Sequence, residues 1–232
     1  REEWRPIWQA YLGLVSLLDD CVGMIIEQLK AHDLYDNSLI VFTSDHGEML
    51  GSHGLWQKMC MYEESARIPL TIKFPVSANI GQGRITEPVS AIDVLPTLCD
   101  YLDIHLGGRM SGTSLMPLIH GEKQQLDREC LFIQYDGNGS RGNFQRCVLN
   151  RKFKLIVDLF KDETYVELYE SSNDKYEQRN LAFEAEHAGD VIELLSALSA
   201  HMKTTGDLLG WPWPEPEQMY STFINDYSPY RK

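Results

Sequence analysis

One apolar run, Leu39–Phe42, constrains the fold most because it stops abruptly at a polar segment. The stretch "SLIVFTS" is too short for a helix and is continuous rather than alternating, which is typical of a buried strand in a mainly parallel sheet. It follows a segment, Ile7–Ala31, in which apolar residues recur every three or four positions. That spacing predicts one long amphipathic helix. Helix, strand and polar loop in succession predict an α/β fold.

The pattern changes after about Asp127, where four short runs rich in Val, Ile, Phe and Tyr are separated by polar turns. Such runs predict a small antiparallel four-stranded sheet built of hairpins. Helical spacing then returns until Gly206, and we expect this helix to pack on the sheet. Before the change, "RIPLTIKFP" (67–75) is a second strand candidate. We therefore expect an α/β part over residues 1–126, a sheet-and-helix part over 127–210 and an extended, Pro-rich tail over 211–232.

Composition excludes some partners. The net charge of −13, from 34 acidic and 21 basic residues, disfavours a general polyanion binder, because nucleic-acid binding depends on clustered Lys and Arg. No run of consecutive apolar residues approaches the ~20 that span a bilayer, and the charged "REEWRP" is no signal peptide. We expect neither a nucleic-acid nor a membrane partner. The five cysteines contain no CxxC pair and are typical of buried thiols.

Asp45 and His46 follow the predicted strand and precede Gly47. Ligands bind at the carboxyl ends of strands in open α/β sheets, and a carboxylate with an imidazole can bind a divalent cation. Two ligands do not define a site, so on these residues alone a polar turn stays the favoured alternative. His53 and Lys58 follow in a loop rich in glycine. A lysine there could neutralise negative charge on an anionic substrate, or could simply be solvated.

The segment "TSDHGEMLGSHGLWQK" resembles the metal-and-lysine segment of the sulfatase family, in the alkaline phosphatase superfamily. Five further blocks resemble the family in the same order. They are the lead-in helix and strand up to "VFTSDHG", "ARIPLTIKFP", "VSAIDVLPTLCDYLDI", "MSGTSLMPLIHGE" and the C-terminal "ELYESSNDKYEQRNLA". The resemblance implies an enzyme that hydrolyses sulfate esters of small molecules or glycans, in the periplasm, outside the cell or in the lysosome.

Residue by residue, the resemblance implies that Asp45 and His46 are metal ligands and that Lys58 contacts the sulfate. His53 would lie beside the substrate and is our second candidate catalytic residue. The implied cofactor is Ca²⁺, with Mn²⁺ or Mg²⁺ as alternatives. Many family members have Asn in place of His46, and a nitrogen ligand suits Ca²⁺ less well than oxygen does.

The family's nucleophile is a formylglycine made from Cys or Ser in Cys-x-Pro-x-Arg or Ser-x-Pro-x-Arg. No cysteine or serine here begins that pattern. The chain thus resembles the C-terminal part of a sulfatase whose N-terminal half is the missing partner, and we expect the isolated chain to be inactive. Two alternatives stay open: a phosphodiester or phosphonate monoester hydrolase of the same superfamily, and a non-catalytic module derived from the fold.

Other residues are weaker candidates. Arg67 and Arg109 could face an anionic substrate, although nothing in their spacing requires it. Trp211 and Trp213 could line a sugar site, but we expect them to pack on the domain. Ser44, next to the metal pair, is expected to bond to the backbone rather than to act as a nucleophile.

Overall fold

The computed structural model describes residues 4–105, 107–108, 110–137, 143–160, 163–210 and 215–227. Arg109, Trp211 and Trp213 lie outside these residues. The chain divides into two compact units, which are described separately. The first contains Arg1–Lys58 and Glu64–Arg84, and the second contains Met59–Glu63 and Ile85–Lys232.

The first unit contains the predicted long helix and both predicted strands. The elements that run through it are α1 (Arg5–Ala31), β1 (Ile40–Thr43), α2 (Glu63–Ala66) and β2 (Leu70–Lys73). The predicted parallel arrangement is not found among the described residues, because the strand beside β1 is β2 and the pair is antiparallel, with Ile40 opposite Lys73. The predicted burial is not found in the described structure either, because no residue of β1 is buried and Phe42 is 43% exposed. A continuous apolar run does not determine the direction of pairing, which depends on how the connecting chain returns.

Helix α1 confirms the predicted helix, but its apolar residues do not form a buried face in the described structure. None of its residues is buried, and several large apolar side chains are more than half exposed, including Trp8, Leu12, Leu18 and Ile25. By length and composition α1 could cross a membrane. The expectation that no segment is long and apolar enough for this is therefore wrong: counting consecutive apolar residues misses a helix whose polar residues are scattered.

The second unit contains the predicted antiparallel sheet, which is confirmed, with strand order β3-β4-β5-β6. In register, Val148 of β4 pairs with Leu155 of β5, which pairs with Leu168 of β6. The elements of this unit, beyond the start of α2, are α3 (Val94–Tyr101), α4 (Met116–Ile119), β3 (Leu131–Tyr135), β4 (Asn143–Leu149), β5 (Phe153–Phe160), β6 (Glu163–Glu170), α5 (Ala188–Thr205) and α6 (Pro216–Tyr227).

Alternation along the strands gives this sheet two different faces. One face packs against α5 and α6, and its buried residues include Leu155, Val157 and Leu168 with Leu194 and Leu198. The other face carries a smaller apolar cluster of Met61, Cys147, Ile156 and Tyr169. Helix α5 ends as predicted at Gly206, whose φ of +65° suits a glycine C-cap.

The predicted extended tail is wrong for residues 216–227, which form α6. Met219 and Phe223 are four residues apart, and both are buried in the core under the sheet. The sequence of the tail therefore contains a short apolar stripe at helical spacing. The predicted division at 126/127 remains a prediction about domains. The compact unit itself extends back to Ile85. Within it, both terminal guanidinium nitrogens of Arg128 donate to the fully buried carboxylate of Asp93 at 2.8 Å.

Candidate metal and anion site

Asp45 and His46 lie in the turn that follows β1, and local hydrogen bonds set their orientation. The backbone N–H of His46 donates to Oδ1 of Asp45 at 2.9 Å, and the Ser44 hydroxyl donates to the His46 carbonyl at 2.8 Å. The Ser44 contact confirms the expected backbone role of that hydroxyl. The N–H bond from His46 holds the pKa of Asp45 below its ordinary value, so the carboxylate is ionised and can bind a cation.

The imidazole of His46 is oriented to offer one nitrogen. Its Nδ1 lies 2.9 Å from the Gly47 carbonyl oxygen, and because a carbonyl only accepts, Nδ1 carries the proton. The lone pair is then on Nε2, which lies 3.5 Å from Oδ2 of Asp45. The side chain of His46 is 41% exposed and that of Asp45 is 84% exposed. One carboxylate oxygen and one imidazole nitrogen thus converge at an open surface.

These two donors fit a divalent cation by their chemistry. Within the described part of the chain, neither residue belongs to a group of three or more potential ligands whose donor atoms lie within 4.8 Å of one another. Asp45 and His46 are therefore two candidate ligands, and a metal site would need further donors.

Gly47 allows the turn after β1 to lie close to the backbone of Glu64 and Ser65 in α2. A Cβ at this position would lie 2.0 Å from the backbone oxygen of Glu64, and the Gly47 N–H donates to the Ser65 carbonyl at 2.7 Å. Sequence reasoning did not find this close contact, because it joins residues 17 positions apart.

The loop that carries His53 and Lys58 is held by bonds within the first unit. The Gln57 N–H donates to the Glu48 carboxylate at 2.8 Å, and the Ser65 hydroxyl donates to the Lys58 carbonyl. The Lys58 side chain itself is exposed. Backbone contacts thus fix the base of Lys58 and leave its ammonium available to a ligand.

His53 adopts a left-handed backbone conformation with φ of +54° and is exposed. One of its ring nitrogens lies within 4.8 Å of a Glu64 carboxylate oxygen. Glu64 has a buried carboxylate oxygen without a hydrogen-bond partner in the described structure, so His53 has an acidic neighbour that its sequence position did not indicate.

The start of α1 also contacts this loop, which sequence reasoning did not find. The indole N–H of Trp8 donates to the Leu50 carbonyl at 2.7 Å. The Trp4 and Trp56 rings lie 5.3 Å apart, and a Cβ on Gly51 would meet the Trp4 ring at 3.1 Å. No local pattern predicts these pairs, because each joins residues more than 40 positions apart.

Comparison with known proteins places the chain in a family. Residues 51–204 match the family described as N-sulphoglucosamine sulphohydrolase, C-terminal. A choline-sulfatase from Rhizobium meliloti is 35% identical over 78% of this chain and 34% of its own length.

Two solved structures resemble the chain, each with a TM-score of 0.69. One, a protein in complex with its substrate D-glucosamine-2-N,6-O-disulfate, is 29% identical over 84% of this chain and 40% of that one. The other, a phosphonate monoester hydrolase of Agrobacterium radiobacter, is 27% identical over 81% of this chain and 40% of that one. The chain thus spans about a third to two fifths of the length of these relatives.

Proposed function

Because this chain belongs to the sulfatase family, we propose that it is the C-terminal portion of an enzyme that hydrolyses sulfate esters. The family match supports the reaction class. The observation that supports a site on this chain is the convergence of Asp45 Oδ2 and His46 Nε2, 3.5 Å apart at the end of β1. The substrate would be a sulfated small molecule or a sulfated glycan, as for the choline-sulfatase and the glucosamine disulfate complex.

Asp45 and His46 would hold the divalent cation, Ca²⁺ by family resemblance, with Mn²⁺ or Mg²⁺ as alternatives. When bound, the cation polarises the sulfate oxygens. Lys58 would place its ammonium against the sulfate and stabilise the negative charge that develops during transfer. His53 would contact the substrate from the same loop. Ser65 and Glu48 hold the backbone of that loop.

The nucleophile would come from the remaining N-terminal portion of the enzyme, where we expect a formylglycine. None of the five cysteines and no serine in these 232 residues begins the family pattern. We therefore expect residues 1–232 alone to show no turnover. By family resemblance the whole enzyme would act in the periplasm, outside the cell or in the lysosome.

The test uses the complete enzyme with 4-nitrophenyl sulfate as the substrate. Lys58→Ala should lower kcat/KM by about 10²–10³-fold, the usual effect of removing one electrostatic contact to the transition state. The matched control is Lys30→Ala, since Lys30 is an exposed lysine whose partner is Glu27 on the same helix; its kcat/KM should stay within twofold. Retention of full activity by Lys58→Ala would overturn the assignment of Lys58.

Metal content gives a second readout that does not depend on turnover. Asp45→Asn and His46→Ala should each lower the metal bound per enzyme, measured by inductively coupled plasma mass spectrometry, while Lys58→Ala should leave it unchanged. Unchanged metal content in both ligand variants would contradict the site.

A second candidate function is hydrolysis of phosphodiesters or phosphonate monoesters. The specific observation in its favour is the resemblance to the phosphonate monoester hydrolase, which matches the chain as well in TM-score as the glucosamine disulfate complex does. Matched 4-nitrophenyl sulfate and 4-nitrophenyl phenylphosphonate substrates separate the two activities. A preference for the phosphonate of tenfold or more in kcat/KM would replace sulfate ester hydrolysis as the main reaction.

A further inference from the structure

The segment Met59–Glu63 begins at the peptide bond that follows Lys58 and belongs to the second unit. Met61 is 3% exposed and packs with Cys147, Ile156 and Tyr169 on the sheet face opposite α5. The residues immediately after the proposed sulfate-binding lysine are therefore fixed on a rigid sheet rather than left as a free loop.

A buried ion pair continues this attachment. Lys154 on β5 is 2% exposed and Glu177 is 3% exposed. The Lys154 ammonium lies 2.8 Å from Oε1 of Glu177 and 2.9 Å from Oε1 of Glu63. Oε2 of Glu177 accepts the backbone N–H of Glu63 at 2.7 Å. Glu63 is thus held at both its backbone and its side chain.

A third polar contact lies next to this pair. The Tyr62 hydroxyl donates to Oε1 of Glu167 on β6 at 3.0 Å. Tyr62 and Glu63 are therefore bound to Glu167 on β6, to Lys154 on β5 and to Glu177 after β6, in addition to the apolar packing of Met61.

The chemistry of this cluster is unusual for a purely stabilising contact. Buried charges lose much of their attraction to desolvation, and a hydrophobic pair of similar volume often stabilises a fold as well or better. What a charged, hydrogen-bonded cluster adds is a fixed geometry, because its ion pairs and hydrogen bonds each require a defined distance and direction. Here the cluster fixes the backbone that directly follows Lys58. The Lys58 carbonyl itself accepts a hydrogen bond from the Ser65 hydroxyl.

We propose that Lys154 and Glu177 are positioning residues, which fix the segment Met59–Glu63 and thereby the backbone from which Lys58 reaches the sulfate. The proposal rests on the proposed function of Lys58. Neither Lys154 nor Glu177 would touch the substrate. A displacement of about 1 Å at a reacting group can cost about 10²-fold in rate, so loosening this segment should lower turnover.

The test is Glu177→Gln in the complete enzyme, with Glu87→Gln as the matched control. Each carboxylate is nearly buried, accepts one backbone N–H and pairs with one cation. Glu177 does so with Glu63 N–H and Lys154, and Glu87 does so with Leu126 N–H and Arg151. Only Glu177 contacts the segment after Lys58, so the two variants lose similar interactions in different places.

With 4-nitrophenyl sulfate, Glu177→Gln should lower kcat at least tenfold, and Glu87→Gln should leave it within twofold. In a Lys58→Ala background, Glu177→Gln should lower kcat by less than a further twofold, because a residue that acts through Lys58 has nothing left to position. A general loss of folded enzyme would instead multiply with the Lys58 effect. Equal effects of the two glutamine variants, or full additivity with Lys58→Ala, would overturn the proposal.

Hydrogen exchange separates this proposal from the function on which it rests. Amides of residues 59–63 should exchange faster in Glu177→Gln than in Glu87→Gln, whatever substrate the enzyme uses; equal rates would overturn the positioning role. Full activity of Lys58→Ala would instead overturn the role of Lys58. If Glu177→Gln does not fold, Glu63→Gln at the half-exposed end of the cluster gives the same comparison.

Discussion

Replacing Gly47 by alanine tests whether the turn that carries Asp45 and His46 depends on a close backbone approach. The added Cβ would lie 2.0 Å from the Glu64 carbonyl oxygen, and ordinary contact begins near 3.4 Å, so the two backbones must separate by 3.4 − 2.0 = 1.4 Å. Overpacking of this kind costs about 1–3 kcal/mol. The separation also weakens the 2.7 Å bond from Gly47 N–H to Ser65, which adds about 1 kcal/mol.

The expected total is thus a loss of about 2–4 kcal/mol in the free energy of unfolding, together with weaker metal binding because the shift moves the adjacent ligands. Thermal melting and metal titration of the complete enzyme measure the two effects. Gly81→Ala is the control, since a Cβ there meets nothing within 4 Å. Equal melting temperature and equal metal affinity for Gly47→Ala and Gly81→Ala would refute the reasoning.

Two further predictions concern a buried acid and the exposed helix. Burial raises the pKa of Glu167 to about 7 from an ordinary value of 4.5, so the folded protein takes up a proton between these values. The contribution of this group to stability should be fully present below pH 4.5 and lost as pH rises through about 7. This contribution has an upper limit of about 3 kcal/mol. The real value is smaller, because the side chain is partly exposed and solvent screens the interaction. Chemical unfolding of the wild type and Glu167→Gln from pH 4.5 to 8 measures this, and an equal pH dependence in both would contradict it. For α1, the complete enzyme should stay at the bottom of a flotation gradient with phosphatidylcholine vesicles, and co-flotation would show that α1 enters the bilayer.

The sequence predicted elements whose signal is local and missed what depends on distant partners. The periodicity of Ile7–Ala31 and the apolar run before Asp45 each reflect one element, and both elements formed. The direction of the β1–β2 pair and the contact of Gly47 with Glu64 depend on how separate segments meet. Helix α6 was missed because the tail is rich in Pro and aromatic residues, whereas the apolar stripe that packs in the core is short: Met219 and Phe223 are buried, and Tyr220 and Ile224 are partly buried against them.

Helix α1 shows why burial is harder to predict than helical structure. Its apolar side chains are exposed on more than one side, as in Leu12, Leu14 and Leu18, which is typical of a helix enclosed by protein or by lipid. Two observations favour protein. Asp19 and Asp20 lie in the middle of α1, where each would cost about 2.5–3.5 kcal/mol at the centre of a bilayer. The first turns of α1 are also fixed to the loop after Asp45 and His46 by the bond from Trp8 to Leu50. A helix held at the candidate site is suited to lie in the core of the catalytic domain, so we expect the remaining N-terminal portion to cover it.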